Sequence, residues 1–145
     1  MPLPDLEKNI LPWIGKTAKM MAIFMMEKFK QHHLDLTLEQ LIMLKILHDE
    51  DGRPQHDLAL VTERHKASLT RLIGTMEKKN LVIRIPHKTD KRVNCIFLTK
   101  HGRDYFQSTL PILREAMQDI QTGLGAEEVN SLIQTLKKVQ TNLKV

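Results

Sequence analysis

The segment Val82-Ile83-Arg84-Ile85-Pro86-His87-Lys88-Thr89-Asp90-Lys91-Arg92-Val93-Asn94-Cys95-Ile96-Phe97-Leu98-Thr99 holds two runs rich in branched and aromatic residues, 82–85 and 93–98, around a polar, cationic stretch at 86–92. Such runs, separated by turn-forming residues, predict two strands joined as a hairpin. Two strands alone are only marginally stable in water, so the hairpin must pack on helices and aim its tip at something. The preceding helix is expected over about residues 66–79, where Leu69, Leu72, Ile73 and Met76 recur at helical spacing. Asn80 stands where that helix must stop and reverse, and Asn tolerates the left-handed backbone needed there. Facing outward are Lys66, Ser68, Thr70, Arg71, Thr75 and Lys78. Cations mixed with small hydroxyls suit the DNA major groove, where Arg grips guanine and a hydroxyl or methyl meets phosphate, adenine or thymine. A basic-tipped hairpin directly after such a helix is a wing.

Working upstream, a short helix is expected at 55–61, with Leu58, Ala59 and Val61 for burial, and Thr62-Glu63-Arg64-His65 has the length that joins the two helices of a helix-turn-helix. Before it, Thr37-Leu38-Glu39-Gln40 is a capping box: the Thr37 hydroxyl serves the Gln40 amide and the Gln40 side chain reaches back, with Leu36 and Leu41 placed as a hydrophobic staple. This helix turns Leu41, Leu44 and Leu47 inward and should end near Asp49-Glu50-Asp51-Gly52, where the Asp-Gly pair and Pro54 signal a turn. The acidic cluster lacks calcium-loop spacing, since Leu47 stands where a ligand is needed, so a solvated turn is expected.

The N-terminal segment, about 5–31, spaces Ile10, Ile14, Thr17/Ala18, Met21, Met25 and Phe29 as a helical stripe, while the opposite side carries Leu11, Trp13, Met20, Ala22, Phe24 and Met26. A helix with two apolar faces buries the second most simply against another subunit; a long core helix of a monomer is the other solution. Downstream, Thr99 caps a helix in which Phe106, Leu110, Leu113, Met117, Ile120 and Leu124 step by fours and threes like a coiled-coil seam, with a bend expected at Pro111. A last helix, 126–143, gathers Val129, Leu132, Ile133, Leu136, Val139 and Leu143 on one side.

The 145 residues favour one domain, with a net charge of +5 and a single cysteine, Cys95, which rules out an intrachain disulfide and fits a reducing cytoplasm. The longest apolar run, 20–26, is far too short to cross a bilayer, and the N-terminus lacks the pattern of a signal peptide, so a cytoplasmic chain without membrane association is expected. The charge is uneven. Residues 53–103 hold twelve Lys plus Arg against four Asp plus Glu, a surplus of +8, and the remainder, ten against thirteen, sums to −3. Folded basic residues between acidic helical ends are the footprint of a nucleic-acid reader.

The order of elements, and above all Asp90-Lys91-Arg92 followed by Leu98-Thr99-Lys100-His101-Gly102, resembles the MarR family of winged-helix transcriptional regulators, whose signature reads D-x-R…L-T-x-x-G. Leu58-Ala59, 68–72 and 76–82 fit the family's recognition-helix region over a match that runs nearly the whole chain. Departures are Asn80, where the family usually has Gly, and 62–64, where Gly is frequent. The resemblance implies a mainly α fold with a small β-hairpin wing. In it, a winged helix-turn-helix DNA-binding lobe, 37–103, is carried by dimerisation helices from both chain ends, 1–36 and 104–145.

It also implies a bacterial homodimer, in the repressor role, on a pseudo-palindromic site in double-stranded DNA. Lys66, Ser68, Thr70 and Arg71 fall at groove-facing positions, with Thr75 on the same outward face. Arg92 matches the arginine that enters the minor groove, Asp90 its orienting partner, and Lys88 and Lys91 are candidate phosphate contacts. Small phenolic or lipophilic effectors bind members of the family where the dimerisation helices meet the DNA lobe; here Trp13, Met21 and Met25 approach that junction, and no pocket is assigned.

Seven scattered histidines, 32, 33, 48, 56, 65, 87 and 101, show no metal-site spacing, and there is no phosphate loop, nucleophile elbow or carboxylate pair, so neither a metal, a cofactor nor an enzyme is expected. Cys95, in a wing strand, is expected to be buried and not a redox switch. The competing function is a winged-helix protein-interaction module that does not read DNA.

Overall fold

A computed structural model describes residues 2–3, 5–62 and 66–144. The order is α1 (Ile10–Gln31), α2 (Leu38–Asp49), β1 (Arg53–Pro54), α3 (Gln55–Thr62), α4 (Lys66–Lys78), β2 (Val82–Pro86), β3 (Asn94–Leu98), α5 (Lys100–Ile120) and α6 (Ala126–Leu143). Residues 1–112 and 113–145 form two compact units. The expected turn at 63–65 and the burial expected of Val61 lie outside the described residues.

The first helix starts later than its apolar pattern suggests. Leu6–Lys8 form a separate 3-10 turn, Asn9 is extended, and its side chain accepts the Leu11 amide at 2.9 Å to begin α1 at Ile10. Pro12 gives the reason: a helix begun at Asp5 would need its missing N–H and would drive its ring into the Lys8 carbonyl, whereas in the first turn of α1 no such donor is required. The helix ends at His33, left-handed with φ 57°, where the Leu34 amide returns 2.8 Å to the Phe29 carbonyl.

The capping box of α2 forms as expected, with both the Gln40 amide on Thr37 Oγ1 and the Thr37 amide on Gln40 Oε1 at 3.2 Å. Leu36 and Leu41 are both buried beside it. Asn80 adopts φ 59° and ends the turn after α4. The hairpin pairs β2 with β3 antiparallel, Val82 opposite Leu98 and Pro86 opposite Asn94.

A third strand was not foreseen. β1 pairs with β3, Arg53 opposite Ile96, so the sheet order is β1-β3-β2. The expected turn at 49–54 therefore does more than reverse the chain. Gly52 at φ 69° lies where a Cβ would come within 2.5 Å of the Phe97 ring, which requires glycine. Asp51 Oδ1 accepts the Leu98 amide at 2.8 Å and Oδ2 sits 3.6 Å from Arg103 Nη1, so this acidic residue fastens the sheet to the start of α5.

Thr99 secures the wing's base. Its hydroxyl donates to the Asn80 carbonyl at 2.6 Å and accepts the Gly102 amide at 2.8 Å. Gly102 is glycine because a Cβ there would lie 2.1 Å from the Leu81 carbonyl oxygen. The core of this unit comprises Phe29, Met43, Leu44, Leu47, Leu58, Leu69, Ile73, Met76 and Ile96, all essentially inaccessible; Cys95 is buried as expected. α5 continues through Pro111. Among the described residues no helix is long and apolar enough to cross a membrane.

Candidate nucleic-acid interface

Helix α4 presents one face to the core and the other to solvent. Leu69, Ile73 and Met76 are buried, while Lys66, Ala67, Thr70, Arg71, Thr75 and Lys78 are exposed. The outward stripe at 67, 70, 71, 74, 75 and 78 follows the helical repeat and carries both cations and small residues. Ala67 and Gly74 escaped the sequence reading, although small side chains there allow a close approach to a flat partner. Ser68, expected to face the groove, is half-buried.

A concave space of about 520 Å³ opens beside this helix, lined among others by Gln55, His56, Lys66, Thr70, Arg84 and Arg92. Two of these residues brace α4 from neighbouring elements. Gln55, the first residue of α3, donates from Nε2 to Thr70 Oγ1 at 2.9 Å. Arg84 reaches from β2, with Nε 2.8 Å from Glu77 Oε1 and Nη2 3.5 Å from the Thr70 carbonyl.

The wing tip is equally ordered. Asp90 Oδ1 accepts both the backbone amide and Nε of Arg92 at 3.1 Å, and its Oδ2 lies 3.4 Å from Nη2. The Arg92 side-chain hydrogen bond, followed by that of its backbone amide, holds the Asp90 carboxyl below its ordinary range. Exposed ion pairs add little stability, and the Arg92 side chain is 91% exposed, so the pair's effect is to orient a guanidinium that projects into solvent. His87, unassigned from sequence beyond its place in the tip, organises the turn. Its Nδ1 accepts the Thr89 amide at 3.2 Å and the Asp90 amide at 3.4 Å.

The basic surplus divides into two sets. Arg53, Lys79, Arg84, Lys100 and Arg103 face acidic partners within the fold. Lys79 is held most fully: Nζ lies 2.8 Å from the Asp35 carbonyl, 3.0 Å from Gln40 Oε1 and 3.4 Å from the Asp35 carboxylate. It pins the end of α4 to the capping box of α2. Asp35 also faces Tyr105, whose phenol is pushed up by burial first and by the Asp35 charge second, against a hydrogen bond from the Asp35 backbone. Lys66, Arg71, Lys78, Lys88 and Lys91 are exposed and carry no ion pair among the described residues. These free cations lie on α4 and the wing, and sequence alone could not separate them from the engaged ones. Arg64 lies outside the described residues. No cluster of metal-ligating side chains occurs among the described residues.

A reading helix with a cationic outer stripe, beside a hairpin that projects an oriented arginine, places the chain in the class of winged helix-turn-helix proteins. Residues 36–93 match the sequence model of the MarR family. The transcriptional regulator HosA of Escherichia coli O157:H7 is 30% identical over 110 residues, 75% of this chain and 82% of that protein. The homoprotocatechuate degradative operon repressor of Escherichia coli is also 30% identical, over 75% of this chain and 72% of its own. Among solved structures, S. aureus MepR in complex with DNA superposes with a TM-score of 0.82 at 26% identity, covering 92% of this chain and 98% of that one. The chain belongs to the MarR family and is a transcriptional regulator.

Proposed function

We propose that the protein is a cytoplasmic homodimeric repressor that reads a pseudo-palindromic operator in double-stranded DNA, with α4 in the major groove and the wing in the adjacent minor groove. The observation that carries this reading is the set of unpaired cations on α4 and the wing beside Arg92, which Asp90 orients outward. Lys66, Ser68, Thr70, Arg71 and Thr75 serve the groove, Arg92 with Asp90 serves the minor groove, and Lys88 and Lys91 meet phosphate. The relative solved as MepR–DNA supports the partner.

Dimerisation falls to 1–36 and 104–145, and reading to 37–103. In support, α1 leaves Ile10, Leu11, Trp13, Met20 and Ile23 each more than half exposed in a single chain, a surface that a second copy covers. A small phenolic or lipophilic effector releases the DNA; the homoprotocatechuate repressor, named for an operon that degrades a phenolic acid, supports that class. An effector acts by preferring one arrangement of the paired lobes.

Selection of bound DNA from a random pool at two salt concentrations tests the reading. The expected result is a palindromic consensus whose affinity falls steeply between about 50 and 200 mM salt. Absence of enrichment would instead favour a protein-interaction module.

A further inference from the structure

We infer that α4 reads thymine through threonine methyl groups, with Thr70 as the specificity-determining residue and Gln55 as the residue that positions it. The inference rests on the DNA-reading function proposed above. Thr70 Oγ1 donates its hydrogen to the Lys66 carbonyl at 2.9 Å and accepts the Gln55 side-chain amide at 2.9 Å. Thr75 Oγ1 donates to the Arg71 carbonyl at 3.1 Å. A hydroxyl has one hydrogen and two acceptor positions. Neither threonine therefore keeps a donor for a base, and Thr70 keeps only one acceptor position.

That loss is selective, because N7 and O6 of guanine, N7 of adenine and O4 of thymine all need a donor. The hydroxyls are blind to them. Both residues lie on the exposed stripe, and the group each still has to offer is its methyl. The only apolar group that a base edge presents in the major groove is the thymine C5 methyl. Gln55 makes Thr70 the more constrained of the two, because its hold comes from a different helix, fifteen residues away, and from half-buried surroundings.

The experiment takes the operator recovered by selection and replaces its thymines one at a time by deoxyuridine, which removes only the methyl. The full-length wild type, Thr70→Val, Thr70→Ser and Gln55→Ala proteins are titrated against each DNA. For the wild type, one deoxyuridine in a half-site is expected to weaken binding about fourfold, the value of one methyl buried from water. Thr70→Val, which keeps the shape and discards the hydroxyl, should bind the unmodified operator like the wild type and retain the same loss with deoxyuridine. Thr70→Ser should bind the unmodified operator about fourfold more weakly and no longer distinguish the two bases. Gln55→Ala should keep its helical content and show a smaller thymine-to-deoxyuridine ratio.

A wild type indifferent to every deoxyuridine, or a Thr70→Val protein no better than Thr70→Ser, overturns methyl reading while leaving DNA binding intact. A pool that yields no consensus removes the DNA-reading function itself, which is a separate outcome.

Discussion

Helices α1 and α4 are both amphipathic, but the single chain completes only one of them. α4 buries Leu69, Ile73 and Met76 fully and shows solvent a polar stripe, whereas α1 buries only Met25 and Phe29, near its C-terminal end, and leaves Leu11 72% and Trp13 59% exposed. The difference locates two kinds of unfinished business. On α4 what lacks a partner is charge, and on α1 it is apolar surface. Charge without a partner invites an anion and responds to salt; apolar surface invites a protein and responds to concentration.

The contrast is broken most forcefully in the core. Leu44→Ala should cost about 2–5 kcal/mol in urea unfolding, since Leu44 is wholly inaccessible and its loss leaves a cavity. Leu11→Asp on α1 should instead leave the fold of residues 37–103 intact and weaken self-association about tenfold or more in sedimentation equilibrium, the scale of one leucine burial. On the reading side, Arg92→Ala should reduce operator affinity by about 1–3 kcal/mol without altering the circular dichroism spectrum; wild-type affinity would remove Arg92 from the interface.

Smaller effects separate engaged from free cations. Lys91→Ala should lower the slope of log affinity against log salt by about 1, as loss of a phosphate contact does. Lys79→Met should weaken binding with the slope unchanged, because Lys79 acts through the placement of α4 on α2, and Lys79→Arg should recover part of the loss. The smallest effect concerns pH. Asp90 is lowered in the fold, so its contribution to the wing turn is present above the ordinary carboxyl value of about 3.9 and is lost as pH falls through the lowered one. An NMR titration should place its midpoint below about 3.9, and Arg92→Ala should move that midpoint upward.

Much of the fold was legible because the responsible residues are neighbours in the chain. The capping box of Thr37 and Gln40, the reversal at Asn80 and the cap at Thr99 each act over three residues or fewer, and the apolar repeat of α4 lies within one turn after another. What escaped depends on distance. β1 has two residues, too few to show a period, and exists because Gly52 lets the chain lie against Phe97. Asp51 finds the Leu98 amide 47 residues away and Lys79 finds Asp35 44 residues back, so a count of charges treats them as surface when they belong to the scaffold. The start of α1 was legible after all in Pro12, whose missing donor outweighs the apolar stripe that runs past it.

The site was legible in outline only. Composition and order placed the cations on one helix and one hairpin, yet the engagement of the Thr70 hydroxyl by Gln55, or of Arg84 by Glu77, requires three elements to be folded together.

The knot at Thr99 has a consequence for how regulators of this kind diversify. Because one threonine ties the Asn80 carbonyl before the hairpin to the Gly102 amide after it, residues 81–98 hang from a single closed base. A hairpin so fastened is an interchangeable part. Its tip can be lengthened, recharged or exchanged for that of a relative while the anchor remains in register, so new target preferences can be acquired at the wing without renegotiating the helix that sits in the neighbouring groove.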